Sequence, residues 1–267
     1  MTQNWELGLT IEGEQDAPVL VLGHSLGSSH VMWDDVVEEL GAGVRTVRYD
    51  LPGHGGTTPP ELDAPLTMEQ LVAALLRSLE GAGIGTFHVA GLSLGGLVAL
   101  AVAQMAPQRV LTTSVMSSGP VNLPAQQWVD KAALVRSQGT GALVEATLER
   151  WFSPEFAAGR GSAWVSRIRE EFLACSDEGY AQCCEVLSTT DLRGGLASLT
   201  SPLLLVSGEG DAALPWAAAD ALAEEVRAGS CPDVEVVHVP GVRHMSAVEE
   251  PATIARALER RMGLAGE

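Results

Sequence analysis

Positive charge is what this chain has least of. Its 34 Asp and Glu face only 16 Lys and Arg, Lys131 is its single lysine, and the formal net charge is −18. Phosphate polymers and anionic bilayers are held by clustered Lys and Arg, so neither nucleic acid nor a membrane is an expected partner. Long apolar runs are also missing: no stretch approaches the roughly 20 residues that a membrane-crossing helix needs. Met1-Thr2-Gln3-Asn4-Trp5-Glu6 has no basic patch and no apolar stretch behind it, so no secretory leader is expected. Cys175, Cys183, Cys184 and Cys231 form no CxxC pair, and no cluster has metal-ligand spacing. Buried free thiols of a cytoplasmic protein are the expectation, with no metal and no cofactor.

What is present is apolar content of 46% in 267 residues, enough for one large α/β domain with an insertion or for two small domains. Short Val- and Leu-rich runs alternate with longer amphipathic stretches. The expected strands are 5–11, 19–22, 44–48, 87–90, 110–116, 203–207 and 234–239. The expected helices are 30–40, 68–80, 95–106, 217–227 and 251–262. Buried strands separated by helices predict a mostly parallel central sheet flanked by helices. The rhythm breaks between residues 120 and 200, where helices are expected over 124–137, 141–151, 163–174 and 179–187 and no apolar strand run intervenes. The division is therefore a core of residues 1–119 and 201–267 and a helical cap of 120–200, inserted after the sixth or so strand and lying over a sheet-based site.

Two stretches fit G-x-S-x-G, a pattern that can hold a serine exposed on a tight strand-to-helix turn for attack on an acyl carbon. They are Gly23-His24-Ser25-Leu26-Gly27 and Gly91-Leu92-Ser93-Leu94-Gly95. The turn needs a buried strand before it and a helix at once after it. Ser93 has Phe87-His88-Val89-Ala90 before it and a small-residue helix former after it. Ser25 is followed by Ser28, Ser29 and His30, which read as loop and helix cap. Ser93 is therefore the expected nucleophile. The first stretch fits an oxyanion loop, with the backbone N–H groups of Leu26 and Leu94 facing the developing negative charge.

In a chain ordered serine, acid, histidine, the base lies late. Of His24, His30, His54, His88, His238 and His244, only the last two follow the insertion. His238 sits within an alternating strand. His244 sits in the loop just past it, where a sheet enzyme presents its groups. The acid should leave the preceding strand, and Asp211 in Gly208-Glu209-Gly210-Asp211 is expected to hold the His244 imidazole in one tautomer. Glu209 is its competitor.

These signs, with Asp50-Leu51-Pro52-Gly53-His54-Gly55 between them, resemble the α/β-hydrolase fold, in which Asp50 and His54 would be structural. Met32-Trp33-Asp34, Arg150-Trp151-Phe152-Ser153-Pro154-Glu155-Phe156, Gly179-Tyr180-Ala181-Gln182-Cys183-Cys184-Glu185 and Asp191-Leu192-Arg193 resemble the 3-oxoadipate enol-lactonases in particular. Val242-Arg243-His244 departs a little from their usual residues. The resemblance implies a cofactor-free serine hydrolase acting through an acyl-enzyme on a small-molecule anionic lactone, the five-membered enol-lactone of 3-oxoadipate. An anionic substrate needs local positive charge. The cap segment 120–195, with seven basic and ten acidic residues, is nearly balanced inside an acidic chain, and Trp128, Lys131 and Arg193 are the candidates for lining the pocket. Surface ion pairs are the competing role for Lys131 and Arg193. Two other readings stay open: a general carboxylesterase or cofactor-free perhydrolase or haloperoxidase of the same fold, and a catalytically silent binding module.

Overall fold

The computed structural model describes residues 5–122, 124–231 and 233–264. Seven strands form one sheet in the order β1-β3-β2-β4-β5-β6-β7. They are β1 Leu9–Glu12, β2 Val19–Gly23, β3 Arg45–Tyr49, β4 Phe87–Leu92, β5 Val110–Met116, β6 Leu203–Gly208 and β7 Val234–Val239. β1 runs antiparallel to β3, and every other pairing is parallel. β4 and β6 are buried along their whole length, as parallel strands covered on both faces must be.

The helices in chain order are α1 Asp34–Leu40, α2 Met68–Gly81, α3 Leu94–Met105, then α4 Ala125–Gln138, α5 Val144–Trp151, α6 Pro154–Ala158, α7 Ser162–Ala174 and α8 Asp177–Thr189 in the insertion, and finally α9 Trp216–Arg227, α10 Ser246–Glu249 and α11 Pro251–Met262. α2 begins at a capping box, with Thr67 accepting from the Gln70 amide and the Gln70 side chain accepting from the Thr67 amide. Such a cap contributes about 1 kcal/mol. It buries Met68, Leu71, Val72, Leu75 and Leu79, the one-sided stripe of a helix lying on a sheet.

Several boundaries move, each for a local reason. Residues 5–8 do not join β1, because the Leu7 amide donates to Ser78 Oγ and the Gly8 amide to Thr57 Oγ1, both at 2.8 Å. The expected helix 30–40 is a 3₁₀ turn, His30–Trp33, capped by Ser29, followed by α1. The expected helix 141–151 likewise opens as a 3₁₀ turn, Thr140–Ala142, before α5. The short α6 and α10 have no counterpart in the sequence reading. The insertion follows the fifth strand, not the sixth.

The ends of the insertion are pinched together where Val121 bridges Asp191 and the Leu192 amide donates to the Pro120 carbonyl at 2.8 Å. Residues 193–198 then form a 3₁₀ helix against α3 and α9. The N-terminal end of α8 rests on the loop after β3. A Cβ on Gly179 would stand 2.4 Å from the Gly53 Cα, so no other residue permits that approach. The Ser176 amide donates to the Gly53 carbonyl at 2.8 Å, and Gln182 Nε2 to the Pro60 carbonyl at 2.8 Å. On the far side Trp164 Nε1 reaches Asp35 Oδ2 of α1 at 2.7 Å.

Candidate active site

Ser93 stands where β4 turns into α3, at φ +60°, and with Ser117 it is one of two non-glycine residues of left-handed backbone among those described. Such a conformation costs about 1–3 kcal/mol and persists only where the surroundings enforce it. Here they do. The Ser93 amide donates to the Met116 carbonyl of β5 at 2.9 Å. Gly91 and Gly95 let the helix press on the strand: a Cβ on Gly91 would lie 2.1 Å from the Gly95 carbonyl oxygen, and one on Gly95 2.2 Å from that of Gly23. The small residues of the motif are thus required by backbone contact.

The loop after β2 lies alongside. The Gly95 amide donates to the His24 carbonyl at 3.1 Å, which fixes the loop against the start of α3. Its other amides are occupied: Ser25 N–H by Met32 Sδ, Gly27 N–H by His54 Nε2 at 3.0 Å, and Ser28 N–H by the Ser25 carbonyl at 3.0 Å. The N–H groups of Leu26 and Leu94 have no hydrogen-bond partner among the described residues. They are the two that the sequence singled out for an oxyanion.

Two buried imidazoles hold this loop. His24 donates from Nδ1 to the Ser25 carbonyl and accepts the Leu51 amide at Nε2 (2.9 Å). His54 donates from Nδ1 to the Pro52 carbonyl and accepts Gly27 at Nε2. Each needs a neutral ring with a bare Nε2. Burial supplies it, lowering His24 to about 4 and His54 to about 3. Asp50 accepts the His30 amide, the His30 ring and the Gly56 amide. Burial opposes its charge, yet the His30 hydrogen bond, the field of His24 and the two amides hold its carboxyl at about 2. His54 thereby braces the loop of His24–Gly27, a link the sequence did not signal.

The structure brings Asp211 and His244 together. Asp211 Oδ1 accepts from His244 Nδ1 and from the Ala213 amide, both at 3.0 Å. Burial would raise the Asp211 carboxyl, but the His244 hydrogen bond and charge, the Ala213 amide and the Ser117 hydroxyl hold it below the ordinary carboxylate range. Glu209 instead accepts the Gly241 amide at 2.9 Å on the surface. His238 stacks on Trp216, with ring centres 4.7 Å apart, away from the site. The Ser93 hydroxyl makes no hydrogen bond among the described residues. Such contacts are often loose without substrate. His244 is tied to the nucleophile turn through β5: Met116 holds the Ser93 amide, and Ser117 Oγ donates to the His244 carbonyl at 2.9 Å.

Aromatic rings of the cap form the roof. Trp151 stacks on His244 with centres 6.2 Å apart, Phe172 meets Trp151 at 5.9 Å and Tyr180 at 5.5 Å, and Tyr180 lies 6.2 Å from His54. Glu249, fully buried, joins roof to base: it accepts the Arg243 amide at 2.9 Å, the Ser153 amide at 3.0 Å and the Ser153 hydroxyl. The sequence reading passed over Ser117, Trp151 and Glu249 as site residues, and Trp151 alone carried a signal, lying in a quoted cap motif.

The pocket candidates separate. Arg193 is exposed and pairs with Asp191 two residues away, at the root of the cap. It is not brought to the site, because a nearer carboxylate takes it. Arg136, Arg160, Arg167 and Arg169 are likewise paired with acids. Lys131 is not. Its half-buried Nζ lies 4.0 Å from the centre of the Trp128 ring and has no ion pair among the described residues. Burial, with the Arg150 charge, lowers its pKa. The amine lies near Cys184, one turn along α8 from Tyr180. No group of three His, Cys, Asp or Glu is placed to hold a metal among the described residues. No helix there is long and apolar enough to cross a membrane.

The chain matches the alpha/beta hydrolase fold family over residues 18–251 and belongs to it. Within that family it is similar to 3-oxoadipate enol-lactonase 2 of Acinetobacter baylyi, with 28% identity over 97% of this chain and 94% of the relative. The crystal structure of the enol-lactonase from Burkholderia xenovorans LB400 matches with a TM-score of 0.89 at 30% identity, covering 96% of each chain. A pimeloyl-(acyl-carrier protein) methyl ester esterase of Nitrosomonas europaea is 30% identical over 79% of this chain and 84% of its own length.

Proposed function

We propose that this hydrolase opens the lactone ester of 3-oxoadipate enol-lactone to 3-oxoadipate, with Ser93 as nucleophile, His244 as base and Asp211 as its orienting acid. Ser93 Oγ attacks the ring carbonyl as His244 Nε2 takes its proton. The amides of Leu26 and Leu94 receive the oxyanion, a term worth about 3–4 kcal/mol per donor in comparable sites. The acyl–oxygen bond of the ring then breaks, and His244 returns the proton to the departing enol oxygen. The enol stays tethered to the acyl-enzyme, and its conversion to the ketone prevents re-closure. Water, deprotonated by His244, attacks the ester carbonyl, and Ser93 leaves with 3-oxoadipate released.

The observation that carries the substrate class is Lys131, a half-buried cation left without a carboxylate in a chain of net charge −18. Trp128 Nε1 and Asn122 Nδ2 are further buried donors without a hydrogen-bond partner among the described residues. Donors and a cation with nothing to bind fit a carboxylate-bearing substrate. The likeness to enol-lactonases across cap and core supports the same reading. The deciding experiment is kcat/KM on the enol-lactone beside p-nitrophenyl acetate. A preference of at least a hundredfold for the lactone is expected. A better turnover of the neutral ester favours the carboxylesterase reading.

A further inference from the structure

We infer that Ser117 is a positioning residue for the base, its hydroxyl fixing the loop that presents His244 to Asp211. The residue stands at the junction of all three members. Its neighbour Met116 holds the Ser93 amide, its own amide donates to the Val206 carbonyl of β6 at 2.9 Å, and β6 delivers Asp211. Its hydroxyl donates to the His244 carbonyl at 2.9 Å. Asp211 Oδ2 is buried and accepts no hydrogen bond, while Oδ1 accepts two.

The backbone at Ser117 is left-handed, at φ +52°. Glycine suits that conformation without strain, yet the position carries a side chain. The side chain therefore has work that the backbone does not need. A hydroxyl has one proton. Given to the His244 carbonyl, it fixes the height of the loop that presents the ring. The Asp211 carboxyl, bonded to His244 Nδ1, feels the same hydroxyl and is lowered by it. Ser117 touches no reacting atom and acts through these two groups.

The proposal rests on the nucleophile, base and acid assigned above, and not on the lactone. It is tested with reagents that any serine hydrolase accepts: the rate of Ser93 phosphorylation by diisopropyl fluorophosphate, and kcat and KM on p-nitrophenyl acetate. Ser117→Gly relaxes the backbone and removes the hydroxyl, Ser117→Ala removes only the hydroxyl, and Ser117→Cys keeps the shape with a poor donor. Expected are melting temperatures of the Gly variant at or above wild type, with kcat and phosphorylation lowered about ten- to a hundredfold in Gly and Ala. KM should stay within twofold, and Cys should fall between. A Gly variant with wild-type kcat overturns the proposal even where Ala folds poorly. A wild-type protein that diisopropyl fluorophosphate does not label overturns the assigned nucleophile, and this inference with it.

Discussion

The site has two halves built by different physics. The core half, the turn at Ser93 and the loop of His24–Gly27, is held by backbone hydrogen bonds to neutral imidazoles and to neighbouring strands, almost without charge. The cap half is held by aromatic faces and by ion pairs that face solvent. Exposed pairs contribute little, about 0–1 kcal/mol each, while an amide bonded to a buried ring loses that ring's acceptor if anything shifts. On the proposed reading, the chemistry sits on the rigid half and recognition on the adjustable one. This also explains the odd composition. Five of the seven cap cations are spent on carboxylates at the surface, namely Arg136, Arg160, Arg167, Arg169 and Arg193, and the lone lysine is not.

Ser93→Ala is the harshest test of the core half. Turnover should drop by about 10,000-fold or more, with folding intact by circular dichroism. Wild-type rates would move the nucleophile elsewhere. His54→Ala comes next. Losing the acceptor of the Gly27 amide loosens the loop that carries the Leu26 N–H, so kcat should fall about ten- to a hundredfold with KM little changed. Its imidazole also has a thermodynamic signature. In the unfolded chain His24 and His54 take a proton near pH 6.5, but in the fold only near about 4 and about 3. Across that window the unfolded state binds more protons, so acid favours unfolding. Urea-melt stability should be complete above pH 6.5 and fall by about 1.4 kcal/mol per pH unit for each histidine below it. His54→Ala should make that slope shallower, and a flat profile in wild type would contradict neutral burial.

The cap half is probed by Lys131→Met, which keeps the stem on Trp128 and deletes the charge. KM for the enol-lactone should rise about tenfold or more, while p-nitrophenyl acetate changes less than about twofold. Equal effects on both substrates erase the division between the halves. The smallest effect is expected of Arg193→Ala, within about twofold on either substrate, since its exposed pair with Asp191 is screened by water. A selective loss on the lactone would return it to the pocket.

The parts legible in the sequence are those whose signal is local. Ser93 was marked by five contiguous residues, and Asp211 and His244 by their place just after apolar runs. Leu26 and Leu94 followed from motif logic, and the structure leaves their amides unpaired. Other parts rest on contacts between distant segments. Nothing near Gly27 announces that His54 will hold its amide, 27 residues on. Ser117 looks like any serine at a strand end until its backbone angle and its two neighbours are known. Arg193 meets the competing outcome that the sequence offered: Asp191, two residues away, takes it in a surface ion pair.

The sequence by itself determined the alternation of strands and helices, the chain order of Ser93, Asp211 and His244, and the excess of negative charge, because periodicity, turn chemistry and ionisation belong to single residues and their near neighbours. Only the tertiary structure decided which amides remain free, which imidazoles stay neutral and which cations are left without a carboxylate. Those outcomes depend on where buried donors find acceptors and on how deeply water is excluded, and both are properties of segments that meet only when the chain is packed.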